Sequence, residues 1–351
     1  MRDNSAAKVN TIGFQELKSL LKMIFLNNRT SPETAEILAE NCAGCERDGA
    51  LSHGIFRIPG YIDSLRSGWV DGLVEPVVER VGPSFIRVDA RNGFAQRGLA
   101  SAGELVQRAL HESGIAVVAM RNSHHFSALW PDVEPFADAG YLAISAVNGL
   151  AKVVPHGGHT PVYGTNPIAF AVPVENSHPL VVDQATSVMA RGDVQLHALA
   201  GQRVPEGTGV DRDGSPTTDA AAILDGGALN TFGGVKGSSI ALLVEVLAGA
   251  LTGGQFSFET DFTGFPGAQI PRAGQCLIVI SPDWAGVGNF GCRLALLRAR
   301  LTDAGQQRLP GARRFANRIA ALQSGIPIAE SSIQELHTLA GEKSIERRTT
   351  V

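Results

Sequence analysis

Along the first quarter of the chain the apolar positions recur three and four residues apart. Beyond about residue 80 they run together in short blocks. The first pattern predicts helices and the second predicts strands. Leu17, Leu20, Leu21, Ile24 and Phe25 put one apolar face on a helix over 14–25. Ser31-Pro32-Glu33 is a helix start: a capping serine, then a proline in the first turn, where its missing N–H costs nothing. That helix is expected to run to about residue 47, with Ala35, Leu38, Ala39 and Cys42 inside. Residues 48–61, DGALSHGIFRIPGY, follow. Ile58 and Tyr61 extend the apolar face until 68–72 ends it.

The blocks predict strands over 85–88, 115–120 (IAVVAM), 142–147, 169–172, 180–182 and 276–280 (CLIVI). Helices are expected over 99–113 and 133–139, a buried one over 243–251, and two more over 291–304 and 333–340. The segment 89–93 reads as a turn, 200–225 as a long polar loop, 309–314 as a basic turn and 342–351 as a frayed tail. Asn148, Asp183 and the run from Arg121 fall just past strand ends, where α/β and α+β folds build sites.

Composition narrows the class. Hydrophobic residues are 44% and charged residues 18% of 351, which is globular, and the length suggests about two domains. A net charge of −4 leaves no basic footprint, so nucleic acid is not an expected partner. No apolar run is long enough to span a bilayer, and MRDNSAAKVN has no signal core, so a cytoplasmic protein is expected. Cys42 and Cys45 form a lone C-x-x-C inside a helical pattern, which reads as two small apolar side chains.

Ser52, His53 and Arg57 fall within six residues. On a helix His53 and Arg57 would lie four apart on one face. Arginine grips a carboxylate through two parallel hydrogen bonds, and histidine transfers a proton near neutral pH, so the pair suits a small carboxylate substrate. A solvated helical face carries such residues as readily. Residues 286–291 match G-x-G-x-x-G after a strand, but 281–285 intervene and no second strand with an acidic end follows, so this is no Rossmann fingerprint. His124, His125, His156 and His159 would serve a metal-dependent hydrolase, although no carboxylate stands at a useful offset. A serine hydrolase built on Ser52 and His53 lacks the G-x-S-x-G elbow. Asp183 and Asp193 are the carboxylates placed to hold a histidine's tautomer; a helix cap and a surface charge are their plainer roles.

Six stretches read together are more specific. SHGIFRIPGY, RNSHHFSALWPDVEPFA, PHGGHTPVYGTNPIAFAVP, DQATSVMARGD, KGSSIALLVEVLAGALTGG and LPGARR, in that order, resemble the type-2 malate/L-lactate dehydrogenase family over about 14–318. HHFSALWPDVEPFA is similar to the branch that reduces Δ1-pyrroline-2-carboxylate and Δ1-piperideine-2-carboxylate. The resemblance implies His53 as proton donor, with Ser52 and Asp193 as its charge relay, and Arg57 and Thr165 as substrate contacts. It implies cofactor contacts at His125, Phe126, Ser127, Ala128, Leu129, Asp183, Gln184, Ala185, Val235 and Lys236. The turn Leu309, Pro310, Gly311, Ala312, Arg313, Arg314 belongs to the same group. Basic residues there imply NADPH, with NADH the alternative. Val235 stands where several relatives carry a histidine, and 201–216 has no match.

The fold so implied is α/β (α+β) and non-Rossmann, with a central mostly antiparallel or mixed sheet and helical N- and C-terminal parts. The expected division is 1–80, carrying Ser52, His53 and Arg57; 81–305, binding the cofactor; and 306–351, a helical return onto the N-terminal part. The activity implied is reduction of a cyclic imino acid by a homodimer free of membrane partners. An open-chain 2-keto acid dehydrogenase of the same fold is the alternative, and the metal-dependent hydrolase is the alternative from another class.

Overall fold

The computed structural model describes residues 9–286 and 288–341. The start read as lacking a signal core (1–8) and the expected frayed tail (342–351) lie outside the described residues. Helix Phe14–Leu26 buries Leu17, Leu20, Leu21, Ile24 and Phe25. Helix Pro32–Arg47 starts at Ser31, whose hydroxyl accepts the Thr34 N–H at 3.2 Å. Helix Ile58–Arg66 completes the group through Tyr61, fully buried and edge-on to Phe25 and Phe126 at centroid distances of 5.6 and 5.5 Å. Each such large side chain contributes roughly 1.5–3 kcal/mol by leaving water.

A seven-stranded mixed sheet forms the centre. Its strands run in the order Val77–Arg80, Phe85–Phe94, Ile115–His124, Arg272–Ile280, Leu142–Val147, Ile168–Val172 and Leu180–Gln184. Phe85–Phe94 and Ile115–His124 are parallel, joined by the crossover helix Ala95–Ser113. The other neighbouring pairs are antiparallel. Arg272–Ile280 is antiparallel to both its neighbours, so the G-x-G-x-x-G after it follows no βαβ strand.

Four expectations need correction. The expected turn 89–93 is a bulge within one strand: Arg91 and Asn92 take φ of 51° and 70°, and Gly93–Phe94 resume pairing with Ser123–His124. The Asp89 carboxylate holds it by accepting the Arg91 N–H at 2.9 Å and the Asn122 amide at 3.0 Å. The expected loop 200–225 is folded. It contributes Gly209–Val210 and Pro216–Thr217 to a four-stranded sheet with Ala228–Asn230 and Val153–Val154, and adds helix Ala220–Leu224 to a small core that includes Val194, Val204 and Ile223. The expected buried helix 243–251 is helix Val235–Val244 running into a π turn, Glu245–Ala250. It buries Val244 and Ala248 against Ala146 but leaves Leu242, Leu243, Val246 and Leu251 about half exposed, because one side alone meets the sheet. The basic turn at 309–314 ends in a helix, Ala312–Ser324, that packs on Pro32–Arg47. After it, strand Ile326–Ala329 pairs antiparallel with Val9–Ile12, and helix Glu330–Leu339 packs on Phe14–Leu26. No helix among the described residues is long and apolar enough to cross a membrane.

Candidate active site

Residues 48–61 are not one helix. Two short 3-10 turns, Leu51–His53 and Ile55–Arg57, flank Gly54, whose φ and ψ of −91° and −132° break the spiral. The Glu46 carboxylate causes the break. It accepts the Ile55 N–H at 2.9 Å and occupies the space that a Cβ on Gly54 would need. His53 and Arg57 therefore do not stack one turn apart on a helical face. The fold brings them to one cavity instead.

That cavity has a volume of about 840 Å³, within the usual range for ligand clefts. Ser52 Oγ lies 3.0 Å from His53 Nδ1. If the hydroxyl donates, the ring proton is on Nε2. Burial pushes the imidazole down to about 3, and the charges of Arg57 and His125 add to that, so His53 is neutral at neutral pH. Arg57 is buried. Its Nη1 donates to Gln195 Oε1 at a long 3.4 Å, its Nε has no partner among the described residues, and its guanidinium lies over the Phe126 ring at 4.4 Å. Burial lowers it to about 10, with Tyr61 opposing and Arg191 adding to the shift. A desolvated cation with an unused donor, lining a cavity, has the chemistry to receive a carboxylate. Gly192 makes room for it, since a Cβ there would come within 2.6 Å of Arg57 Nη2 and 3.0 Å of Ser52 Cβ.

Most of the expected site residues line this one cavity: Ser52, His53, Arg57, Thr165, Asp193, all of 125–129, 183–185 and 309–311, and Arg313 and Arg314. Asp193 makes no hydrogen bond to His53 among the described residues; its charge acts on Arg57. Asp183 is a helix cap, though not for the helix next in sequence. Its Oδ2 accepts the Leu129 and Trp130 N–H groups at 2.9 and 2.8 Å, at the start of helix Trp130–Asp138. Burial raises its pKa. His125 Nε2 lies 3.0 Å from Asp132 Oδ2, and Ser127 donates to Asn41, so two polar side chains of 125–129 are already engaged. Val235, Lys236 and Ala312 do not line the cavity; all three are exposed. The four histidines do not converge: His124 bonds Asn92 and Pro271, His156 and His159 are exposed, and no metal-holding group of three or more His, Cys, Asp or Glu occurs among the described residues.

Other participants were not legible in the sequence. Arg308 and Lys152 line the cavity, as does Arg191. Glu245 holds Asn148, which lines the cavity. Buried in the π turn, it accepts Asn166 Nδ2 at 2.9 Å and Asn148 Nδ2 at 3.2 Å, fixing the two loops that follow strands 142–147 and 153–154. Arg314 and Arg318 pair with Glu134 at 3.3 and 2.7 Å, and Arg318 reaches the fully buried Asp48. Arg314 is thus an engaged structural cation, its guanidinium over Trp130 at 4.6 Å. Arg308 and Arg313 make no ion pair among the described residues. Two free arginines on the rim fit the phosphates of a nicotinamide dinucleotide.

The model of the family described as malate/L-lactate dehydrogenase matches residues 12–337. The chain belongs to that family. Among its relatives, the Δ1-pyrroline-2-carboxylate/Δ1-piperideine-2-carboxylate reductase of Pseudomonas syringae pv. tomato is 54% identical, over 94% of this chain and 96% of that protein. The reductase of the same name from Pseudomonas putida is 52% identical, over 96% and 99%. The crystal structure of Δ1-piperideine-2-carboxylate reductase from P. syringae superimposes with a TM-score of 0.92, over 94% of this chain and 99% of that one. The family's non-Rossmann, mixed-sheet architecture is the one described above.

Proposed function

We propose that this chain is an NADPH-dependent reductase of cyclic imino acids, converting Δ1-pyrroline-2-carboxylate to L-proline and Δ1-piperideine-2-carboxylate to L-pipecolate. The observation that carries the reading is the Ser52–His53 pair beside the unsatisfied Arg57 in one cavity, in a chain more than half identical to reductases of that name. Arg57, with Thr165, holds the substrate carboxylate and so fixes which face of the C=N bond is presented. His53 supplies, or retains, the proton on the ring nitrogen, and Ser52 fixes the imidazole tautomer. Asp193 tempers the positive field of Arg57. Arg308 and Arg313 hold the phosphates, including the extra one of NADPH, and the backbone of 125–129 and 183–185 contacts the cofactor. The hydride to C2 is supplied by the nicotinamide when bound.

The same reading makes the protein a cytoplasmic homodimer. Its four cysteines are free and three are buried, as expected in a reducing compartment. The half-exposed Leu242, Leu243, Val246 and Leu251 form an apolar face suited to a second copy. The test is oxidation of NADPH, and of NADH in parallel, with both cyclic imines, pyruvate and oxaloacetate. Turnover of the imines with preference for NADPH is expected. Turnover of the keto acids alone would move the chain to the open-chain branch of the family.

A further inference from the structure

One buried carboxylate touches none of the reacting groups. Glu245 opens the π turn Glu245–Ala250 and is 4% exposed, on the inner face that also buries Ala241, Val244 and Ala248. That stripe is otherwise apolar, so packing alone would be served by an apolar side chain, and a charge there is costly unless donors satisfy it. The carboxylate accepts four hydrogen bonds among the described residues, all from neutral donors. Oε1 takes Asn166 Nδ2 at 2.9 Å and the Ser257 hydroxyl; Oε2 takes Asn148 Nδ2 and the Ser257 N–H, both at 3.2 Å.

Each donor leads to the cavity wall. Asn148 lines the cavity, and its Oδ1 accepts the Gly274 N–H at 2.9 Å. Ser257 Oγ accepts the N–H of Gly149, another lining residue, at 3.2 Å. Asn166 directly follows Thr165. It is fully buried with φ of 39°, in the left-handed region that most side chains avoid. Its amide nitrogen donates to Ala241 O at 3.0 Å as well as to Glu245. Thr165 is held on its other side, where its carbonyl accepts the Thr186 N–H and hydroxyl at 2.8 and 3.0 Å. Gly164 lets the clamp close: a Cβ there would lie 2.7 Å from Asn166 Oδ1 and 3.0 Å from Ser257 Oγ. We propose that Glu245 is a positioning residue for the substrate site: through Asn166 and Asn148 it fixes Thr165 and 148–149, and so sets the affinity for the substrate carboxylate. None of its four bonds goes to 125–129 or 183–185, so the cofactor side is independent of it. This deepens the reductase reading and rests on it.

Glu245→Gln keeps the volume and turns an NH₂ group toward donors. It is expected to raise KM for Δ1-piperideine-2-carboxylate roughly tenfold, the worth of about one hydrogen bond, with kcat changed by less than about threefold. The dissociation constant of pyridine-2-carboxylate, a planar non-reducible analogue, should rise by the same factor on the NADP⁺-loaded protein. NADPH affinity, read by cofactor fluorescence, should stay as in wild type. Asn166→Gly keeps the positive φ and loses the link, so it should raise KM by itself, and adding Glu245→Gln to it should add little. Leu336→Ala is the stability control, because Leu336 is buried in the core around helix Phe14–Leu26 and does not line the cavity. It should lower the unfolding midpoint and leave KM unchanged. An unchanged KM in folded Glu245→Gln overturns the proposal. So does a loss of NADPH affinity equal to the loss of analogue affinity, or full additivity with Asn166→Gly. If Glu245→Gln does not fold, Asn166→Gly and Ser257→Ala decide: a raised KM in both supports the proposal, and an unchanged KM in both overturns it. Failure of the reductase reading looks different: wild type reduces neither imine. The analogue's dissociation constants still read the role of Glu245 in that case.

Discussion

His53 is an imidazole kept neutral by its surroundings. Burial, Arg57 and His125 push it down to about 3. A substrate carboxylate on Arg57 offsets part of that field, so carboxylate binding and proton uptake by His53 are coupled. The account predicts that the His53 ring titrates at higher pH with a non-reducible carboxylate bound than in the free protein, as read by NMR. His53→Ala should lower kcat by roughly 10²–10⁴-fold with a smaller change in KM. Arg57→Met should act mainly on KM, by on the order of a hundredfold, the worth of two charge-assisted hydrogen bonds. Steady-state kinetics separate the two; equal losses in both parameters for both variants would deny the division of labour. Glu46 is the other perturbed group, raised by burial to about 7 against the bond from Ile55 N–H. Its folded pKa lies above its unfolded one. Its contribution to stability is therefore complete below about pH 4.5 and is lost as pH rises through 7. Glu46→Gln keeps the acceptor and removes the titration. Its melting temperature relative to wild type should rise between pH 5 and 8, by an equivalent on the order of 2–3 kcal/mol.

At the scale of the element, helix starts and strands were legible because their causes are local. Ser31 caps its own helix, and Leu17 to Phe25 carry their own period. The shape of 48–61 was not legible, because the carboxylate that breaks it comes from Glu46 in the preceding helix. Nothing in the local pattern marks Gly54, whose missing Cβ is the space Glu46 uses. Gly192 has a similar hidden role beside Arg57. Gly192→Ala should displace the Arg57 guanidinium and raise KM for the imine while leaving the fold intact. An unchanged KM would show that the 2.6 Å approach is relieved without moving Arg57. The role of Asp183 was half legible. Its position at a strand end marked it, but the helix it caps begins 53 residues earlier in the chain, at Trp130.

For the whole molecule, the mixed sheet and its helical flanks were legible in outline, and the closure of the chain was not. Ile326–Ala329 carries too few residues to show a period, and its partner Val9–Ile12 lies at the other end of the sequence. The ion network that anchors helix Ala312–Ser324 joins Asp48, Glu134, Arg314 and Arg318, far apart in the chain. Arg318→Ala would strip the fully buried Asp48 of that arginine and leave it Arg47 alone. The expected cost is about 3–5 kcal/mol in denaturant unfolding, with weaker cofactor binding because the turn 309–311 leads into that helix. The cavity's cations were invisible for the same reason: Lys152, Arg191 and Arg308 belong to separate segments that only the fold assembles.

The most direct test of the central claim follows a label. The protein is incubated with Δ1-piperideine-2-carboxylate and NADPH deuterated at the transferable C4 position, and the product is analysed by mass spectrometry and chiral chromatography. The account predicts L-pipecolate carrying one deuterium at C2. Absence of L-pipecolate, in a preparation that reduces oxaloacetate or pyruvate under the same conditions, would contradict it.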